Sequence, residues 1–122
     1  MSWWVYLERD GEPVTVSAHT EGGTHVLGGT SAAELNVTYN YGGQFRAAWP
    51  EDDAKSESNV LGRLLDRKRA GETLPLLERM VERLGTVRHP DYWAAAPGNA
   101  GHTLSILVAW ARQHPDATWS VL

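Results

Sequence analysis

Residues Glu34-Leu35-Asn36-Val37-Thr38-Tyr39-Asn40-Tyr41 alternate between apolar and polar side chains. Successive side chains of an extended chain point to opposite faces, so this stretch predicts a half-buried strand. Leu35, Val37, Tyr39 and Tyr41 would enter a core, with Asn36, Thr38 and Asn40 on the other side. That outer row carries two carboxamides and a hydroxyl, which donate and accept hydrogen bonds without charge. Asparagine is disfavoured in strands, so two at alternate positions point to work for their amides.

The flanking sequence sets the architecture. Residues 3–8 and 14–17 read as strands joined by an Asp10-Gly11 hairpin turn. A further short strand is predicted at 24–27, between Gly22-Gly23 and Gly28-Gly29-Thr30. Gly42-Gly43 ends the sheet, and Trp49-Pro50-Glu51-Asp52-Asp53 reads as an exposed acidic loop. The pattern then turns helical. Ser58 or Asn59 caps a short helix bearing Val60, Leu61, Leu64 and Leu65, which Gly71 stops. A second helix covers 73–85, with Thr73 as cap, Pro75 in the first turn and Leu77, Met80, Val81 and Leu84 on one face. The third follows Pro97-Gly98-Asn99, takes Asn99 as its cap and ends at His114-Pro115. Its wide apolar arc (Leu104, Ile106, Leu107, Val108, Trp110, Ala111) predicts more than one packing neighbour. Residues 117–121 add a last short strand or a docked tail. Strands first and helices after predict an α+β fold: an N-terminal antiparallel sheet of three to four strands, with about three helices packed on one face.

At 122 residues the chain makes one domain, residues 1–122, large enough for a core without covalent staples. It has no cysteine, which removes disulfides, thiolate metal sites and cysteine nucleophiles. The formal charge of -4 opposes any general affinity for nucleic acid or anionic membrane. No apolar run reaches membrane-span length, and the first residues lack a signal-peptide pattern, so a cytoplasmic protein is expected. Six tryptophans are many for this length. The tandem Trp3-Trp4 must divide between the two faces of its strand.

Catalytic and metal sites find little support in the sequence. The five histidines show no helical i, i+4 pair and no compact cluster with carboxylates, so no metal or cofactor is expected. His89-Pro90-Asp91 and His114-Pro115-Asp116 match the J-domain tripeptide, but the first precedes an irregular aromatic segment and the second has no helix after it, unlike the loop of an all-helical domain. Each follows a helix and precedes an aromatic residue, Trp93 or Trp119, expected to pin the outgoing chain. Glu51-Asp52-Asp53 reads as a solvated run and Arg67-Lys68-Arg69 as a helix-end cluster. No Walker pattern or Gly-x-Ser-x-Gly elbow is present.

Several blocks in order carry a family likeness: Glu34 to Tyr41, Glu72-Thr73-Leu74-Pro75-Leu76-Leu77-Glu78, Asp91-Tyr92-Trp93, Pro97-Gly98-Asn99-Ala100 and Ala109-Trp110-Ala111 with His114-Pro115-Asp116. Over about residues 20–120 the chain resembles small uncharacterised proteins of tailed bacteriophages and prophages. The resemblance implies an accessory protein of the host cytoplasm that binds and interferes with a host or competing component, host defence included. It supplies no ligand and no catalytic residue.

The leading functional expectation is a non-enzymatic binding module. Its ligand-binding residues are Asn36, Thr38, Tyr39, Asn40, Tyr41, Asn99 and His102. The partner is a small polar, nucleotide-like ligand or a host protein. Convergent polar groups in a pocket would favour the first, and an exposed aromatic patch the second. A homodimer is a further expectation. The alternatives are a small hydrolase or transferase using His19 or His25 with Glu21 or Glu34, and a structural or assembly component of a virion.

Overall fold

A computed structural model describes residues 1–21, 29–49 and 59–122. The strand predicted at 24–27, His25 and the acidic run Glu51-Asp52-Asp53 lie outside these residues. The fold is α+β, as expected. Strand β1 (Ser2–Arg9) is the hub of a four-stranded antiparallel sheet and pairs with β2 (Glu12–Pro13), β5 (Glu34–Thr38) and β6 (Thr118–Val121). Between them β3 (Thr15–His19) and β4 (Thr30–Ala32) form a separate ladder. The β1–β2 turn carries φ of 56° at Asp10 and 80° at Gly11. Two left-handed residues in a row match the twist of a tight hairpin.

Register assigns the faces. Trp3 lies opposite Val37, Val5 opposite Leu35, and Leu7 opposite Trp119. All six are buried, forming the sheet side of the core. The alternate residues Trp4, Tyr6, Asn36 and Ser120 line the other face and are half-buried, with the Trp4 and Tyr6 rings stacked 6.3 Å apart. The tandem tryptophans therefore divide as their alternation requires.

Helices α1 (Gly42–Ala48), α2 (Val60–Leu65), α3 (Ala70–Leu84) and α4 (Pro97–Gln113) supply the other half of the core through Phe45, Leu61, Leu64, Leu77, Met80, Leu104 and Leu107. The wide arc of α4 meets α3, α1 and, through Trp110, the His19 ring of β3 at 5.3 Å. Asn59 caps α2, its side chain accepting from the Gly62 N–H at 3.3 Å.

Several boundaries depart from the sequence expectation, each for a local reason. The alternating segment stops being a strand at Thr38. Thr38 Oγ1 accepts from the Asn40 N–H at 3.2 Å, and Tyr39–Tyr41 turn into a 3-10 helix. The strand has thus ended before Gly42-Gly43, which opens α1. Helix α2 ends at Leu65, not near Gly71, and Arg67 adopts a left-handed φ of 66°. Helix α3 begins at Ala70, ahead of Thr73. The first N–H groups of a helix need partners from outside it. Here Ala70 and Gly71 donate to the Ala117 and Pro115 carbonyls at 2.9 Å each, so no side-chain cap is required. Thr73 is released for a different task. Its hydroxyl donates to the Ala70 carbonyl and accepts from the buried Trp119 indole N–H, both at 2.8 Å. Trp119 is thus the anchor its position after His114-Pro115 suggested. Trp93 is not.

Candidate functional site

The segment between α3 and α4 has no regular hydrogen-bonded structure over residues 85–96, yet its backbone is held throughout its second half. The five consecutive carbonyls from Asp91 to Ala95 each accept a hydrogen bond from a side chain. Asn99 Nδ2 donates to Asp91 at 3.0 Å and to Ala94 at 3.1 Å. The Tyr41 hydroxyl donates to Tyr92. Asn40 Nδ2 reaches Trp93 at 3.0 Å, and Gln44 Nε2 reaches Ala95 at 2.8 Å. The donors come from three elements: the 3-10 turn, α1 and α4.

Local chemistry explains how they converge. Pro97 takes the first position of α4, where a missing N–H costs nothing. Asn99 then falls inside the first helical turn, 4% exposed, and does not cap the helix as its sequence position suggested. Its side chain reaches back instead. Asn99 Oδ1 accepts the His89 N–H at 2.9 Å while Nδ2 faces the carbonyls. Exchanging the two amide ends would set donor against donor and oxygen against oxygen, so the network fixes the orientation. The turn at Thr38 rotates Asn40 and Tyr41 off the strand and towards the same segment. Burial, with neighbouring Tyr92 adding to it, pushes the Tyr41 hydroxyl up to about 12, so it stays a protonated donor at any physiological pH. Burial also raises Tyr92, with the Glu21 carboxylate contributing next.

Within the segment, Asp91 Oδ1 accepts the Trp93 N–H at 3.0 Å and His89 Nδ1 accepts the Asp91 N–H at 2.9 Å. The Tyr92 ring sits edge-on to Tyr41, 6.0 Å between centroids, and is the aromatic that pins the chain. Trp93 goes outward and is 60% exposed, with only its edge contact to Tyr92 at 5.1 Å among the ring contacts of the described residues. Tyr39, 44% exposed, lies edge-on to Trp3 at 4.6 Å.

The residues selected from sequence therefore divide. Asn40, Tyr41 and Asn99 come together on the 91–94 backbone, with Tyr39 beside Asn40 in the same turn. Thr38 shapes that turn. Asn36 goes elsewhere: on the outer sheet face its amide donates to Ser2 Oγ at 2.7 Å and to the Trp3 carbonyl at 3.3 Å. His102 sits with Nε2 4.0 Å from the Glu21 carboxylate. The amides expected to be turned outward for a ligand are thus bonded within the chain. Gln44 and Trp93 were not selected, although Trp93 stood in a marked block. A side-chain amide one turn after Asn40 was the available signal for Gln44.

Two other chemistries can be placed. His19 Nε2 lies 3.0 Å from the Ala32 carbonyl, and Glu21 faces His102. Among the described residues no group of three or more His, Asp or Glu side chains is set to hold a metal ion. No helix among them is long and apolar enough to cross a membrane. The chain matches no protein-family model, no curated protein and no solved structure, so its functional reading stands on the geometry of the site.

Proposed function

We propose that this chain is a non-enzymatic protein-binding module whose contact surface is the 89–96 segment, centred on Trp93 with Tyr39 at its rim. One observation carries the reading: a largely exposed tryptophan stands on irregular backbone whose five carbonyls from Asp91 to Ala95 are each fastened by a side chain. Exposed apolar rings are disfavoured in water, and covering an aromatic of this size contributes about 3 kcal/mol. Fixing the loop beforehand removes the ordering cost that a flexible loop would charge against binding. Tryptophan is also the side chain most enriched at the energetic centres of protein interfaces. The alternative of a small polar ligand is weaker, because the amides it would need already have partners. In this reading Asn40, Tyr41 and Asn99 shape the surface, and Tyr39 and Trp93 touch the partner. For an accessory phage protein that partner is a component of the host.

The test uses tagged protein recovered from producing cells, with complexes sized by native mass spectrometry. Trp93→Ala is expected to weaken a complex about 100-fold, in line with about 3 kcal/mol. Its melting temperature should stay within about 1 °C of the parent, since an exposed side chain contributes little to folding. The exposed Glu12→Ala on the β1–β2 hairpin serves as control and should bind normally. Full retention of the complex by Trp93→Ala would remove the proposal.

A further inference from the structure

Both ends of the Trp93 segment border an apolar trough. Leu84, Val87, Pro90 and Ala96 help line a hollow of about 470 Å³. A second hollow of about 220 Å³ shares Leu84 and Pro97 with it and continues over Ala47 and Ala48 towards α1. Val87 stands 89% exposed on the rim. The charged side chains lining the two hollows have one sign, with Glu82 beside Arg83 on a neighbouring hollow. Arg88 lines the first hollow, beside the His89 ring, and Arg83 the second, and among the described lining residues there is no Asp or Glu. That runs against the chain as a whole, which carries -4. Arg83 is steadied by a bond from Nη1 to the Ala48 carbonyl at 3.3 Å. His89 uses Nδ1 as an acceptor, which leaves Nε2 to carry the proton as a donor. Asp91, the acid nearest Arg88 in sequence, has its carboxylate turned back on the Trp93 N–H.

We infer that the trough seats an acidic, apolar peptide segment of the partner, with side chains of leucine or phenylalanine size in the two hollows and carboxylates on Arg88 and Arg83. The inference rests on the protein-binding reading and names the chemistry of the partner. Two joined hollows suit successive apolar side chains of one segment, since peptide recognition repeatedly uses spaced anchors along a groove. A guanidinium pairs with a carboxylate through two parallel hydrogen bonds, which favours Asp or Glu at the flanks. A basic segment would meet like charge on both hollows and is selected against.

Selection of a random peptide library displayed on a surface, with the full chain as bait, tests this. The recovered peptides should combine Leu, Ile or Phe with Asp or Glu. Synthetic copies should bind Arg88→Glu and Arg83→Glu at least tenfold more weakly and lose affinity as salt rises. Replacing their acids with Lys should restore binding to Arg88→Glu. Both arginines are exposed, so the variants should melt with the parent. Recovery of only basic or uncharged peptides, equal binding by the charge-reversed variants, or no recovered peptide would each overturn the inference. If the peptides are uncharged but still need Trp93, the binding surface stands and its proposed partner chemistry falls. If they are acidic and need Arg88 but ignore Trp93→Ala, the trough stands and the Trp93 surface falls.

Discussion

Gly101→Ala is expected to lower the melting temperature by about 10 °C or more, corresponding to about 3 kcal/mol. A Cβ built on Gly101 would overlap the Gly85 carbonyl oxygen and approach the Leu84 Cβ to 3.0 Å. Both obstacles are fixed to the backbone at the end of α3, so no rotamer change relieves them. Two effects oppose each other. Alanine in a helix interior is favoured over glycine by about 1 kcal/mol, but separating two packed helices costs more. Gly98→Ala should behave alike, because its Cβ would overlap the Val87 carbonyl oxygen. The same exchange at Gly43 of α1 isolates the propensity term. There the nearest atom is the flexible end of Arg46 at 4.0 Å, and a gain of about 0.5–1 kcal/mol is expected. Thermal unfolding of the three variants would show the opposite signs. A neutral Gly101→Ala would mean that α3 and the chain leaving it do not ride directly on α4.

Asn99→Ala carries the second large effect, about 2–3 kcal/mol. It leaves the His89 N–H and the Ala94 carbonyl without their partner and the Asp91 carbonyl with only the Ala94 N–H. The segment is mostly exposed, so water can replace some of these bonds, and the cost stays below the sum for fully buried groups. Asn99→Asp separates the two halves of the side chain. The carboxylate still accepts from His89 but turns a charged oxygen towards the carbonyls of Asp91 and Ala94. It should be at least as destabilising as alanine, despite being nearly the same shape. Chemical denaturation of both variants checks this. A stable Asn99→Asp would mean the amide is not the clamp.

The sequence made the sheet and the helices legible because both announce themselves by period. Alternation placed Leu35 and Val37 inward and Asn36 outward and split Trp3 from Trp4, and spacing of three and four found the faces of α3 and α4. What it concealed was settled by contacts remote in the chain. Ala70 starts α3 because the chain around Ala117 lies beside it, a partner more than forty residues away. The hydroxyl of Thr38 broke an alternation that otherwise continued to Tyr41, and with it the shared face of Tyr39 and Leu35. Asn40, Tyr41 and Asn99 converge, but on the 91–94 backbone. Their composition alone was silent on whether they face a ligand or a backbone. Trp93 was misjudged because Tyr92-Trp93 offers two aromatics for one burial site, and Tyr41 selects the first.

The central claim is that the Trp93 segment holds one shape before any partner arrives. Amide hydrogen exchange of the free protein, read residue by residue, tests it most directly. Slowed exchange is expected at the His89, Asp91, Trp93 and Ala94 amides, each of which has an acceptor within the segment or on Asn99. That protection should vanish in Asn99→Ala, while the amides in the middle of α4 stay protected. Exchange of those four amides at the rate of an unstructured peptide in the parent protein would contradict the account.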